Sequence, residues 1–169
     1  MSEKQYFLGY PPAIQQQVSQ LITQGKLKHY LLNKYPSPHQ IISDKALFHY
    51  TNELKQRYLK NTPVINKALY KKQKDLVKNA LGTHTFSSKN HGGKLKSSHE
   101  IAIAMQLKNA PEPLLKVLVV HELAHFKEKD HNKAFYNLCE HMLPEYHQLE
   151  LDLRLFIYQC EFFEGLYEK

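Results

Sequence analysis

Residues 114–126, LLKVLVVHELAHF, constrain this chain more than any other stretch. Leu114, Leu115, Val117, Leu118, Val119 and Val120 make a helix here apolar on most sides, and such a helix belongs in the centre of a domain. The preceding NAPEP, residues 109–113, is a helix-start signal, because proline is tolerated in the first turn. The helix is expected to run to about Lys127. A buried helix should not carry His121, Glu122 and His125 into a core without partners, since burying them unpaired is unfavourable.

The spacing of that trio suggests the partner. A helix turns about 100° per residue, so His121 and His125 leave one edge a turn apart. Two imidazoles so placed can hold one zinc ion. Glu122 is rotated away from that edge and suits the role of general base towards a water at the metal. A catalytic zinc takes three protein ligands and keeps one position open. His131 is the expected third ligand, brought back by the polar turn KEKDHN, where Asn132 or Asp130 can cap the next helix. Glu140, His141 and Glu145 on the following helices are the alternatives. Hydrogen-bonded core or groove residues are the competing explanation, in a chain with 11 histidines.

The rest of the chain reads as one domain over residues 1–169. Hydrophobic residues at 42% and charged residues at 23% are ordinary globular values. Residues 1–62 are expected to be helical, 63–147 to hold a sheet and the site helices, and 148–169 to form a C-terminal helix. Apolar spacing predicts helices over Pro12–Gln24 and Lys26–Lys34, and a third from an Asp44 cap to Tyr58. These three helices also allow a DNA-reading helix-turn-helix. Residues 64–81 are ambiguous between strand and helix. THTFSS and SSHEIAIAM predict two strands around a loop with Gly92 and Gly93. His84, His91 and His99 read as surface residues of that sheet, and Glu128 and Asp130 as solvated turn acids.

Charge is uneven. Residues 1–98 hold 16 Lys/Arg and 4 Asp/Glu, net +12, while 99–169 hold 7 and 12, net −5. The basic half could attract nucleic acid, or the halves could neutralise each other within one fold. No signal peptide or membrane span is expected, and Cys139 and Cys160 read as buried thiols without a disulfide framework. A cytoplasmic protein with no membrane partner is the expectation.

VVHELAHFKEKDHNKAFY followed by MLPEY resembles the YgjP-like metallopeptidase domain, a zincin-type family related in pattern to SprT-like proteins. The matching residues are His121, Glu122, His125, His131, Asn132, Phe135, Tyr136, Pro144, Glu145 and Tyr146. The resemblance implies an α+β zincin-like fold: a small antiparallel or mixed sheet packed on a central HExxH helix, with additional N- and C-terminal helices. It also implies one Zn2+ and a metal-dependent hydrolase. The family's Arg-Trp-Gly-Ser segment has no close counterpart. The chain has no tryptophan, and ALGTHTFSS at 80–88 stands nearest. The histidine spacing equals that of metzincins, but Glu128 replaces their turn glycine.

The function expected from these readings is a zinc peptidase acting on a peptide or protein. Tyr136 and Tyr146 are candidate oxyanion or substrate contacts, and an edge strand at 99–105 would align the peptide. A DNA-associated SprT-like protease, a non-catalytic zinc-stabilised binding domain and a non-peptide amidase are the alternatives.

Overall fold

The computed structural model describes residues 6–73 and 82–167. The part of the ambiguous segment at 74–81 lies outside the described residues. The architecture is α+β. Three helices come first: α1 (Pro12–Thr23), α2 (Leu27–Lys34) and α3 (Asp44–Tyr58). Strands β1 (Lys67–Lys71), β2 (Gly82–His91) and β3 (Lys94–Ala104) follow, then a 3-10 turn at Met105–Asn109. The chain continues with α4 (Glu112–Ala124), α5 (Lys133–Met142) and α6 (Tyr146–Phe162).

The sheet is mixed, with order β1-β3-β2. Strand β1 runs parallel to β3, pairing Ala68 with Ile101 and Tyr70 with Ile103. Strand β2 runs antiparallel, pairing His84 with Ile101 and Phe86 with His99. Gly92 and Gly93, both at positive φ, form the two-residue turn between them, the backbone that matches strand twist. Strand β3 is therefore central, which corrects the expectation of an edge strand at 99–105. Among the described residues, the edge without a neighbouring strand is that of β2. The β1 edge is closed by the start of α3: the Asp44 carboxylate accepts from the Tyr70 N–H at 2.9 Å, and the Tyr70 hydroxyl donates to the Ile41 carbonyl at 2.5 Å.

Helix α4 packs against β2, β3, α3, α5 and α6. Its apolar residues from Leu114 to Ala124 are buried, as is Glu122. It stops earlier than periodicity suggests. His125 is its C-cap, and the N–H groups of His125, Phe126 and Lys127 each bond back three residues. This tightened last turn uses the free carbonyls of the helix end and turns the chain towards α5.

Two other boundaries differ from the periodic reading. Asp44 is not the cap of α3: the Ser43 hydroxyl accepts from the Ala46 N–H at 3.1 Å, and Asp44 serves β1 instead. Helix α6 ends at Phe162 and does not continue to the C-terminus. Cys139 is buried, Cys160 is half-buried and both are free. No helix among the described residues is long and apolar enough to cross a membrane.

One buried acid ties the N-terminal helices to α6. Asp152 is fully buried and accepts from the Tyr30 hydroxyl (3.0 Å), Lys34 Nζ (2.6 Å), the Tyr35 hydroxyl (2.6 Å) and Gln148 Nε2 (3.1 Å). Removing it leaves several donors facing a vacated site. Asp152→Ala is expected to lower stability by about 3 kcal/mol, seen as a lower urea midpoint at unchanged slope.

Candidate metal centre

His121 leaves the last turn of α4, His125 caps it, and His131 sits on the turn before α5. Asn132 caps α5 by accepting from the Phe135 N–H at 2.9 Å, which sets where that turn closes. His131 Nε2 lies 3.1 Å from His121 Nε2 and 3.2 Å from His125 Nε2. Four-coordinate zinc bound by imidazoles at its usual bond length separates neighbouring nitrogens by about 3.3 Å. Among the described residues, these three offer ligand atoms within 4.8 Å of one another. Glu140 lies elsewhere, 3.0 Å from His147, and His141 has its ring against Tyr58.

The far sides of the rings explain the convergence. His125 Nδ1 lies 2.9 Å from the Glu128 main-chain carbonyl, which can only accept. The proton of His125 is therefore on Nδ1, and its Nε2 presents a lone pair. His121 Nδ1 lies 2.7 Å from the Tyr146 hydroxyl, which is itself hydrogen-bonded to Glu150. Glu150, Tyr146 and His121 thus form a relay that orients the ring. Burial, with His131 and His125 nearby, pushes His121 down to about 3. Burial also lowers His125. Both are neutral at ordinary pH, with lone pairs directed at a common point. Both lone pairs lie 3.1–3.2 Å from His131 Nε2, and a donor set of three converging ring nitrogens fits a divalent metal. Phe135, fully buried, supports all three rings at centroid distances of 4.8–4.9 Å.

Glu122 projects from the adjoining face of the helix, towards the start of β2. It is 3% exposed, and burial pushes its carboxyl up to about 8. A cation beside it would act in the opposite direction. Gly82 lies against this carboxylate. A Cβ there would come within 2.9 Å of Glu122 Oε1 and 3.2 Å of the Ala102 carbonyl oxygen. Only glycine lets the strand pass so close.

The two tyrosines separate. Tyr146 is fully buried behind His121 Nδ1, away from the converging nitrogens. Tyr136 is half-buried, with its ring 6.5 Å from that of His131. Glu128 touches His125 through its main chain, a contact that side-chain chemistry does not reveal.

His84 and His99 are not surface residues; the side chain of His91 lies outside the described residues. His84 Nδ1 lies 3.2 Å from the Glu122 carbonyl, and His84 Nε2 lies 2.7 Å from His99 Nδ1. The carbonyl only accepts, so His84 carries its proton on Nδ1 and accepts from His99 on Nε2. Burial, together with His99, lowers His84 to about 4. A two-residue alternation in β2 facing one in β3 would find this pair, but only once the strand register is known.

Two substitutions test the supports of the centre. Tyr146→Phe removes the acceptor behind His121, and metal affinity is expected to fall about 10- to 100-fold by competition with a chelator. Gly82→Ala displaces the Glu122 carboxylate and leaves the imidazoles in place. Metal content should stay at the wild-type level while turnover falls by roughly 100-fold.

The family model described as "YgjP-like, metallopeptidase domain" matches residues 43–155, well over half of the chain. The chain is 52% identical over 159 residues to "UTP pyrophosphatase" of Escherichia coli (strain K12), covering 94% of this chain and 95% of that protein. No solved structure gives a match. The three-histidine convergence thus stands within a recognised sequence family, and the chain belongs to the YgjP-like metallopeptidase-domain family.

Proposed function

We propose that the protein is a zinc-dependent hydrolase that splits a nucleoside triphosphate, with UTP the first candidate, into a nucleoside monophosphate and pyrophosphate. The observation that carries the hydrolase reading is the convergence of His121, His125 and His131 through Nε2, with Glu122 on the adjoining face of the same helix. The substrate follows from the name of the Escherichia coli relative, at 52% identity over nearly the whole of both chains. Charge supports it: Lys127, Lys129 and Lys133 are exposed on and beside the turn that carries His131, where a polyphosphate would be drawn in.

Three imidazoles without thiolate suit zinc among the metals that favour nitrogen. Bound there, a divalent cation would stabilise the negative charge that builds on phosphoryl oxygens as the bond breaks. Glu122 takes a proton from the attacking water as its oxygen bonds to the α-phosphorus. The bond from that phosphorus to the bridging oxygen then breaks, and pyrophosphate leaves with the electron pair. Tyr146 and the Glu128 carbonyl hold the imidazoles in place through this sequence. Gly82 keeps the strand close, so that Glu122 stays aimed and bulk water is held away.

A peptidase is the second reading, favoured by one observation. Among the described residues the outer edge of β2 has no partner strand and begins at Gly82, beside Glu122, and an extended peptide could add to it as a strand. Substrate assays separate the two. The metal-loaded protein is expected to release pyrophosphate from UTP and to leave unstructured polypeptides intact. Glu122→Gln should keep its metal and lose roughly 10²- to 10⁴-fold in rate. Failure to release pyrophosphate from any nucleoside triphosphate would sink the first reading, and cleavage of polypeptide in its place would establish the second.

A further inference from the structure

Beside the metal centre, the face of the sheet that meets α4 carries a stack of aromatic rings that the chemistry above does not use. Phe126, the residue after His125, lies under His99 with centroids 4.7 Å apart and planes at 29°. His84 contacts the same phenyl ring at 4.3 Å. On the outer side Phe86, the register partner of His99, rests against it at 5.0 Å. The inner support is firm: His99 is 7% exposed, and Lys55 Nζ lies 5.4 Å from the Phe126 centroid. The outer ring is open, for Phe86 is 61% exposed. A single exposed apolar side chain needs no explanation. An exposed ring held by buried rings at the margin of a reactive centre is different, because it presents a fixed aromatic face to solvent.

Its position relates it to the centre. Gly82, on the same face of the same strand, abuts the Glu122 carboxylate, and Phe86 follows four residues on, about 13 Å along an extended chain. An elongated molecule lying along β2 would meet Glu122 at one end and Phe86 at the other. A nucleoside triphosphate has that form, with a flat aromatic base at one end and a polyanion at the other.

We infer that Phe86, backed by His99 and Phe126, is the platform on which the substrate's nucleobase stacks while its phosphates reach Glu122 and the three-histidine centre. This rests on the nucleotide reading above. Stacking tolerates any base, so the platform selects nucleotides over bare polyphosphate and does not by itself select uracil.

The chain has no tryptophan, so Phe86→Trp installs a single indole at the platform. Its fluorescence in the metal-loaded protein should be quenched saturably by UMP and UTP and not by inorganic tripolyphosphate. Phe86→Ala should raise the KM for UTP roughly tenfold, with kcat, metal content and inhibition by tripolyphosphate unchanged. Absence of quenching, or equal quenching by tripolyphosphate, overturns the platform, as does an unchanged KM in Phe86→Ala. If the wild-type protein hydrolyses UTP in that case, the hydrolase reading stands alone. Base-dependent quenching in a protein that turns over no nucleoside triphosphate would keep the platform and remove the pyrophosphatase reading.

Discussion

Two imidazole nitrogens, each at hydrogen-bonding distance from a third, are the constraint around which the rest of the molecule is arranged. The Nδ1 proton of His125 is pinned by a main-chain carbonyl, so its Nε2 cannot donate into the cluster. His121 is oriented by a tyrosine whose hydroxyl is engaged by a glutamate. Phe135 prevents the rings from turning aside. Surrounding packing holds the rings in this converging arrangement. Helix α4, buried on most sides, gives that packing. An amphipathic surface helix could fray at its C-terminal turn, where two of the histidines lie, but this one is held by the sheet, α5 and α6.

The same burial acts differently on Glu122. The sheet approaches so closely at Gly82 that the carboxylate is removed from solvent. Strand β2 thus limits the freedom of the acid, and among the described residues no strand pairs with its outer edge. The network around Asp152 acts at longer range, attaching α2 to α6, which packs on α4 in turn.

Much of this was legible in the sequence. The apolar stretch around Leu114–Val120, interrupted only by Lys116, marks a buried helix whatever surrounds it, and four-residue spacing puts His121 and His125 on one edge. His131 was legible because a polar turn followed by an asparagine cap leaves few ways for the chain to return. What was hidden depends on register or on the main chain. The pairing of His84 with His99 exists only because Phe86 lies opposite His99, a fact about two strands together. The Glu128 carbonyl has no side-chain signature. Asp44 looked like a helix cap because Ser43, its neighbour, is equally suited, and which of them serves depends on where β1 lies. Strand 99–105 was assigned to an edge although its alanines and isoleucines, buried on both faces, are those of a central strand.

The two outer strands of the sheet are treated unequally. Backbone groups of β1 are engaged by Asp44, whereas among the described residues β2 has no strand beyond it. An unprotected edge invites other chains to pair with it and polymerise. Along this one, the exposed outward residues Thr83, Thr85 and Ser87 bring hydroxyl groups and no greasy stripe, and the ribbon's tip carries exposed lysines at Lys94 and Lys96. Hydroxyl groups on the outward face and positive charge at the ribbon's tip work against another sheet settling on this strand next to the reactive groups.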